Sequence, residues 1–457
     1  MSIVTPGRST NPDPDGDVNS QFHMGLGGFQ RFQTDVKRLP HPWYACPFMP
    51  DRPQRWPPPW LFLVLILPGG IYTGFTTTPL PFLLGNEGVP VEKIANLASL
   101  IQIPTIFYFC WAPLVDMKLR RRTWLLLTSF LSAACLGVAV PLVGPAHLGA
   151  VTGLLFTGMV VNVLVSAAQG GLMVSMLPRA GQAQASGWTQ AGNLGGGALG
   201  AGITLWFLAR MPLPFAAAAT AAMTGLPALA SWTIAEPPPA TAASLVDHLR
   251  QIGKELVAAF RSRRTLWGLL LLASPVSSGA ALTLLPAVAS GYRVGSQGVM
   301  WVNGMAGGLV LALGSLLATL LPGEWDRKLT YAGAGLLNGL ASLTLLAGST
   351  PAVYYAGTVF YLVTTGFGYA RFLALVTDVL GHGAHGTSTR FSLFQAAGNL
   401  PITYMLWLDG QGYGRLGVRG LFGMDAGGNF LVFALVGALW MFQRKPAPSQ
   451  HAGGRVR

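Results

Sequence analysis

Residues 147–177 read HLGAVTGLLFTGMVVNVLVSAAQGGLMVSML and contain no Asp, Glu, Lys or Arg. A helix needs about 20 largely apolar residues to cross the hydrocarbon core of a bilayer, so this stretch is long enough to span it. Similar runs recur along the chain. The twelve predicted spans cover roughly 60–84, 93–116, 123–143, 147–177, 184–208, 213–234, 266–290, 297–321, 329–348, 351–380, 387–408 and 424–443. The sequence therefore predicts an all-α polytopic membrane protein with twelve transmembrane helices.

The composition excludes an ordinary soluble domain. Of the 457 residues, 51% are hydrophobic and 10% are charged, whereas soluble domains carry about 25% charged residues. The net charge of +13 arises from basic residues in short connectors, which leaves no soluble basic face for nucleic acid. Cys46, Cys110 and Cys135 lack CxxC spacing, so neither a disulfide framework nor a zinc site is predicted. No cofactor is expected.

The basic residues also predict the orientation of the chain in the membrane. With the amino terminus inside, 23 Lys and Arg fall on the inner side, five fall outside, and Arg371 lies within a span. This asymmetry follows the positive-inside rule. We therefore expect a multi-pass protein of the inner (plasma) membrane, in contact with membrane lipids, with both termini in the cytoplasm.

The predicted spans divide the chain into five parts. Two six-helix halves, 60–234 and 266–443, lie between a proline-rich cytoplasmic tail (1–59), a cytoplasmic linker (235–265) and a second tail (444–457). Within the linker, Ser244 is a candidate cap for an amphipathic helix. That helix is predicted either to bind lipid headgroups or to pack on the cytoplasmic ends of the bundle. No cleavable signal peptide is predicted.

The two halves carry matching short motifs. Gly74, Thr78, Leu80 and Pro81 form G-x-x-x-T-x-L-P, which recurs from Gly279 to Pro286 at a shift of 205 residues. Residues 191–194 read AGNL and match residues 397–400 at a shift of 206 residues. The two matches occur in order, with six spans in each half, so they indicate an internal repeat and two pseudo-symmetric halves.

Duplicated six-helix halves are typical of the major facilitator superfamily, and a second motif supports the resemblance. Residues 113–122 read PLVDMKLRRR and resemble the signature of that superfamily between helices 2 and 3, with a degenerate copy at 326–328. The resemblance implies that Asp116 contacts the start of helix 11 and Asp326 the start of helix 5, so that both gate the cytoplasmic side. For Arg120 and Arg121, gating and simple topology anchoring both remain open.

Within the superfamily, residues 111–116 (WAPLVD) and 121–124 (RRTW) resemble the muropeptide permease group, whose relatives import siderophores. The resemblance implies a secondary active transporter that works by alternating access. The expected substrate is a small organic solute that is muropeptide-, peptide- or siderophore-like. Import is expected to be proton-coupled, and the protein is expected to be a monomer.

Ionisable residues inside predicted spans are costly to bury and therefore informative. Arg371 and Asp378, both in the tenth span, are the clear pair. Arg371 is a candidate anchor for an anionic substrate group, because guanidinium binds carboxylates in a bidentate manner. Asp378 either carries a coupling proton or lies at the cytoplasmic mouth as a cap or gate.

Uncharged polar residues form a second set of candidates. The predicted substrate-binding residues are Tyr72, Asn162, Gln169, Gln190, Gln395 and Asn399. The resemblance implies a cavity lined mainly by helices 1, 4, 7 and 10, with helices 2, 5, 8 and 11 beside them. Each candidate could instead make an interhelical hydrogen bond.

Two other classes of protein remain open at this point. A transporter-derived scaffold or sensor is favoured by the small number of buried acids. A membrane-embedded enzyme is disfavoured, because His382 and His385 lie in a glycine-rich loop without an array of carboxylates.

Overall fold

The computed structural model describes residues 56–111, 114–115, 119–236, 260–322, 325–380 and 387–443, together with residues 250, 253, 254 and 257. Most of the predicted tails, Asp116 and most of the linker helix lie outside these residues. The described chain is helical and contains no strand.

Twelve helices that cross the predicted membrane lie in the described ranges, which confirms the predicted fold class. The first six are α1 (Leu61–Asn86), α2 (Val91–Ile106, continued by Tyr108–Trp111), α3 (Arg121–Leu142), α4 (Pro145–Met176), α5 (Arg179–Gln190, a π-helical turn Ala191–Gly195, and Gly196–Arg210) and α6 (Leu213–Thr233). The second six are α7 (Arg263–Leu272 and Ala280–Tyr292), α8 (Ser296–Leu317), α9 (Arg327–Thr344), α10 (Pro351–Leu380), α11 (Thr387–Leu416) and α12 (Val418–Gln443).

Seven of these helices, α1, α3, α4, α6, α8, α10 and α12, are long and apolar enough to cross a bilayer by length and composition alone. The others are shorter, interrupted or more polar. Irregular and polar segments are tolerated at membrane depth where they are buried in protein or line a cavity. Trp60, Trp232, Trp267 and Trp325 are exposed near helix ends on one side of the bundle, as expected of an interfacial aromatic belt.

We call the side that holds Met176 and Leu380 the inner side, and the side that holds Asn86 and Gly417 the outer side. On the outer side, one apolar core joins the halves and includes Phe75, Ile94, Leu284 and Leu406. On the inner side there are two separate apolar cores. One is formed by buried side chains between positions 61 and 234 of the first half, and the other by buried side chains between positions 269 and 432 of the second. The halves are therefore packed together on the outer side and have separate cores on the inner side.

Glycines allow helices to approach closely within and between the halves. A Cβ at Gly74 of α1 would overlap the backbone of Gly197 on α5, and one at Gly366 of α10 would overlap the carbonyl of Leu311 on α8. Between the halves, α5 meets α8 where Gly202 contacts Gly304. Small residues at such crossings are typical of membrane helix packing.

Helices α11 and α12 form a hairpin joined by a single residue, Gly417. Its φ of 60° is a left-handed conformation that glycine adopts without steric cost. Asp409 and Asp425 are each eight residues from Gly417. Because residues equidistant from the turn of an antiparallel hairpin lie at the same depth, the hairpin brings these two positions to one level.

Candidate functional site

A cavity of about 400 Å³ lies between the halves. Helices α1, α2 and α5 line it from the first half, and α7 to α11 line it from the second. No described residue of α4 lines it, which differs from the arrangement expected from the resemblance. The outer core closes the cavity on one side, where Gly85 of α1 packs against Ala287 of α7.

The described lining of the cavity includes no Asp, Glu, Lys, Arg or His. Its polar groups are amides and hydroxyls. Four of the amides, on Gln102, Gln190, Asn193 and Gln395, have no side-chain hydrogen bond to any described residue. These amides come from both halves, so they offer unpaired donors and acceptors to a ligand between the halves.

The wall formed by α7 is not helical throughout. Between its two segments, Ser277 has a φ of 47° and Gly279 a φ of 71°, and both residues line the cavity. The Ser277 N–H donates to Asn429 Oδ1 at 2.8 Å, and the Tyr404 hydroxyl donates to the Ala273 carbonyl at 2.9 Å. A non-glycine residue in this conformation persists only when its surroundings fix it, and such residues cluster at functional sites.

Of the predicted substrate-binding residues, Gln190 and Gln395 line the cavity. Three others hold the first half together. The Tyr72 hydroxyl donates to the Leu155 carbonyl at 2.7 Å, Asn162 Nδ2 donates to the Gly69 carbonyl at 3.3 Å, and Gln169 Nε2 donates to Thr189 Oγ1 at 2.8 Å. These contacts are interhelical hydrogen bonds, the alternative that the sequence left open.

Asn399 and Arg371 also contact protein groups. Asn399 Nδ2 on α11 donates to the Thr105 carbonyl on α2 at 3.1 Å, which links the two halves. Arg371 Nη2 donates to Thr330 Oγ1 on α9 at 2.8 Å, and the side chain is not part of the cavity lining. A role for Arg371 as an anchor of anionic groups stays a prediction.

Two predicted gating residues, Arg120 and Arg121, lie at the start of α3. The backbone N–H groups of Arg121 and Arg122 donate to the two carboxylate oxygens of Glu236 at 3.0 and 2.9 Å. Arg121 Nη1 also donates to the Gly171 carbonyl at 3.1 Å, while Arg120 is exposed. An acidic side chain at the positive end of a helix is stabilising, so Glu236 fixes the end of α6 against α3.

The remaining predicted gating residues are placed as follows. Asp326 caps its own helix, because Oδ1 accepts from the N–H groups of Lys328 and Leu329 at 2.8 and 3.1 Å. Its contact with helix 5 stays a prediction, and that of Asp116 lies outside the described residues. Asp378 is half-buried close to the inner end of α10. Its role, as carrier of a coupling proton or as a cap or gate, stays a prediction.

The structure contains two buried acids that the sequence analysis missed. Asp409 of α11 and Asp425 of α12 are both 0% exposed. Asp425 accepts hydrogen bonds from the Ser342 hydroxyl on α9 and, at 3.0 Å, from the Tyr361 hydroxyl on α10. Asp409 lies close enough to Asp425 for electrostatic interaction, and neither of its oxygens has a hydrogen-bond partner among the described residues.

Misplaced helix ends explain why these acids were missed. The predicted spans ended at 408, one residue before Asp409, and resumed at 424, which put Asp425 at the first turn of a span; α11 instead runs to Leu416 and α12 begins at Val418. These two residues add buried acids to the small number that the sequence predicted, and a scaffold or sensor is correspondingly less favoured. The spacing Asp425–Asn429 was the available signal, because i and i+4 share one helix face.

Comparisons with known proteins agree with this architecture. The sequence profile of the Major Facilitator Superfamily matches residues 106–404. A crystal structure of a D-xylose–proton symporter has a TM-score of 0.61 at 12% identity, covering 83% of this chain and 95% of that one. The nucleoside transporter NupG has a TM-score of 0.62 at 12% identity, covering 83% and 98%.

The xylose transporter XylE from E. coli, in an inward-open conformation, has a TM-score of 0.59 at 14% identity and covers 86% of this chain and 96% of that one. At these identities the likeness concerns the fold. A search of curated protein sequences finds no match.

Proposed function

Because the chain belongs to the Major Facilitator Superfamily, we propose that it is a secondary transporter that carries a neutral, hydroxyl-rich organic solute by alternating access. The observation that carries this proposal is the cavity between the halves, in which unpaired amides of both halves are present and charged side chains are absent from the described lining. Neutral hydrogen-bonding groups favour a solute rich in hydroxyl or amide groups, because burying an ionised group without a counter-charge is unfavourable.

The size and walls of the cavity support a small solute. Its volume of about 400 Å³ is near the lower end of the range for small-molecule sites, about 300–1,000 Å³. Tyr369 and Phe372 of α10 form an aromatic part of the wall, against which a sugar ring or a nucleobase would pack. The similar folds include a D-xylose–proton symporter and a nucleoside transporter, and both solute classes suit this chemistry.

Muropeptide-like and siderophore-like solutes are the competing class, suggested by residues 111–116 and 121–124. Their anionic groups would meet no cationic side chain in the described lining of the cavity. Arg371 is the cation that the sequence offered for this purpose, and its guanidinium contacts Thr330 outside the lining. We therefore favour the neutral class.

Transport is inferred to run inward and to be driven by a proton gradient, since Asp409 and Asp425 provide buried acids at membrane depth. The two six-helix halves that pack together on the outer side would separate there and close on the inner side during transport. We also infer a monomer in the inner (plasma) membrane with both termini in the cytoplasm, for which the charge asymmetry of the loops is the support.

Uptake into proteoliposomes tests the proposal. Labelled D-xylose, a labelled nucleoside and a labelled anhydro-muropeptide are each offered with and without an inward proton gradient. We expect the gradient to drive accumulation of a sugar or a nucleoside, and no accumulation of the muropeptide. Uptake of the muropeptide alone would overturn the neutral class, and binding without uptake of any solute would favour a scaffold or sensor.

The Arg371→Ala variant separates the two substrate classes further. If the substrate is neutral, uptake by the variant should stay within about twofold of the unmodified protein, since the Arg371 guanidinium contacts Thr330 outside the cavity lining. If Arg371 anchors an anionic group, uptake should be abolished while the folded protein persists. Size-exclusion chromatography of the purified variant provides the folding control.

A further inference from the structure

The acid pair formed by Asp409 and Asp425 is separate from the substrate cavity, since neither side chain is part of the cavity lining. Two ionised carboxylates in one buried site repel each other, and burial removes the water that would screen them. Asp425 has two hydroxyl donors, Ser342 and Tyr361, whereas Asp409 has none among the described residues. One proton on the pair would remove one charge and provide the missing donor.

Few other titratable groups surround the pair. The Tyr361 hydroxyl of α10 interacts electrostatically with both acids. On α2, the Glu92 side chain lies against Gly414 of α11. Gly414 is five residues from Asp409 along that helix. On α7, Tyr292 donates its hydroxyl to the Leu345 carbonyl at 2.7 Å. No described Lys or Arg forms an ion pair with either acid, so no described basic side chain neutralises the pair. A proton is the cation that would do so.

The location of the pair connects it to the outer closure. Asp409 and Asp425 lie within the outer half of α11 and α12, between buried residues of the outer core such as Leu406 and Phe422. That core is the packing that seals the outer side. An ionised pair would oppose this burial, whereas a singly protonated pair would permit it.

Asn429 connects the acid pair to the cavity wall by hydrogen bonds. Asn429, one helical turn beyond Asp425, donates from Nδ2 to the Asp425 carbonyl at 2.9 Å and accepts from the Ser277 N–H at 2.8 Å. Ser277 is in the non-helical segment of α7 that lines the cavity. A shift of α12 near Asp425 would therefore be transmitted to the substrate-facing wall.

We propose that Asp409 and Asp425 together bind one proton from the outer aqueous phase, and that this proton permits closure of the outer side. This inference rests on the proposed proton-driven transport and names its proton site. The step forms one carboxylic O–H bond from a carboxylate and an aqueous proton, and nothing is oxidised or reduced. Without the proton, the charged pair favours a hydrated, open outer side.

Cysteine accessibility tests the proposal without a substrate. Cys46, Cys110 and Cys135 are replaced by Ser, and Ala287→Cys places one thiol in the outer closure against Gly85. A membrane-impermeant maleimide is added from outside to sealed vesicles at a series of external pH values, with rates corrected for thiolate content by a free-thiol peptide. We expect labelling to slow as the external pH falls, by up to about tenfold per pH unit for one linked proton.

Neutral variants of the acids should remove this dependence. In Asp409→Asn the corrected labelling rate should be slow and independent of pH, because the amide imitates the protonated acid; Asp425→Asn should behave in the same way. Glu87→Gln is the matched control, since Glu87 is an exposed carboxylate on the outer side, and it should retain the pH dependence. Monodisperse elution on size-exclusion chromatography is required of each variant.

The outcomes separate this inference from the proposed function. Retention of the pH dependence in both Asn variants would overturn the proton site, and so would labelling that follows the sodium concentration at constant pH. If the proposed solute class fails in the uptake assay while the labelling responds to pH through the acids, the proposed function fails and the proton site stands. Labelling of the unmodified acids that is fast and constant at every pH would also overturn the inference.

Discussion

The two halves of the molecule differ in the polar groups that they bury. Among the described residues, the buried polar side chains of the first half are uncharged, and Asn162 and Gln169 are the amides among them. The second half buries comparable groups and in addition Asp409 and Asp425. At the 206-residue shift of the internal repeat, the positions equivalent to these acids hold Ile203 and Ala219.

The difference shows that two halves with the same helix order can bury different chemical groups. Both halves use the same helix order, and each contains close glycine contacts between its own helices, so close packing is a shared property. Buried Asp or Glu side chains at membrane depth occur in the second half alone within the described residues, so the proposed response to protons is assigned to that half. The four predictions that follow test which properties are shared and which are not.

The largest effects should come from the close glycine contacts that each half contains. Gly74→Ala and Gly366→Ala each place a Cβ where a backbone atom of the facing helix lies, and we expect each to lower the free energy of unfolding by about 3 kcal/mol. Thermal unfolding in detergent measures this loss. Gly153→Ala, which has open space around its Cβ, should be neutral, and equal stability of all three would show that the halves are not held by these contacts.

The next effect should distinguish the halves. Asn429→Ala leaves the Ser277 N–H of the second half without its acceptor, and we expect a loss of about 2 kcal/mol. Asn162→Ala in the first half removes longer hydrogen bonds, at 3.3 and 3.4 Å, and should lose about 1 kcal/mol. The same unfolding assay compares them, and a larger loss for Asn162→Ala would reverse the proposed asymmetry.

A pair of tyrosines tests the proton response with one hydroxyl removed from each half. Tyr72→Phe removes a hydrogen bond to a backbone carbonyl and should lose about 1 kcal/mol of stability, with an unchanged pH profile of uptake. Tyr361→Phe removes a donor to the Asp425 carboxylate, which disfavours the ionised form of the acid pair. The pH midpoint of uptake should therefore move to higher pH in Tyr361→Phe, and coincident profiles would contradict this.

The smallest effects should be equal in the two halves. Gln190 and Gln395 lie just before the two AGNL motifs, one residue out of register at the 206-residue shift, and line the cavity with unpaired amides. Each Ala substitution should raise the KM of uptake by about three- to tenfold, since a neutral hydrogen bond contributes about 0.5–1.5 kcal/mol. Gln169→Ala is the control, because its amide donates to Thr189, and a KM increase confined to that variant would displace the site.

The number and order of the helices could be predicted from the sequence because bilayer thickness sets the length of an apolar run. Gln190 and Gln395, which precede the two AGNL motifs, both line the cavity. The ends of α11 and α12 could not be predicted, since the glycines around Gly417 are typical of a loop. Their helical state depends on close approach to other elements, as between Gly410 and Ala95, which a single stretch of sequence does not reveal.

The interior of α7 was hidden for a related reason. Ser277 is an ordinary residue in an apolar stretch, and its left-handed backbone depends on Asn429, which is 152 residues away. The predicted roles of Tyr72 and Asn162 depended in the same way on which neighbour each side chain faces. Helical spacing places a residue on a face of its own helix, but it does not identify the helix across from that face.

The one-residue connection at Gly417 also bears on how the chain enters the membrane. An aspartate in an isolated helix raises the free energy of insertion, by about 2.5–3.5 kcal/mol at the helix centre and by less toward the ends, so Asp409 and Asp425, each eight residues from Gly417, make α11 and α12 insert less readily alone. Because a single residue connects the two helices, neither can insert far ahead of the other. The hairpin should therefore leave the translocon as one unit, with its two acids already at one level.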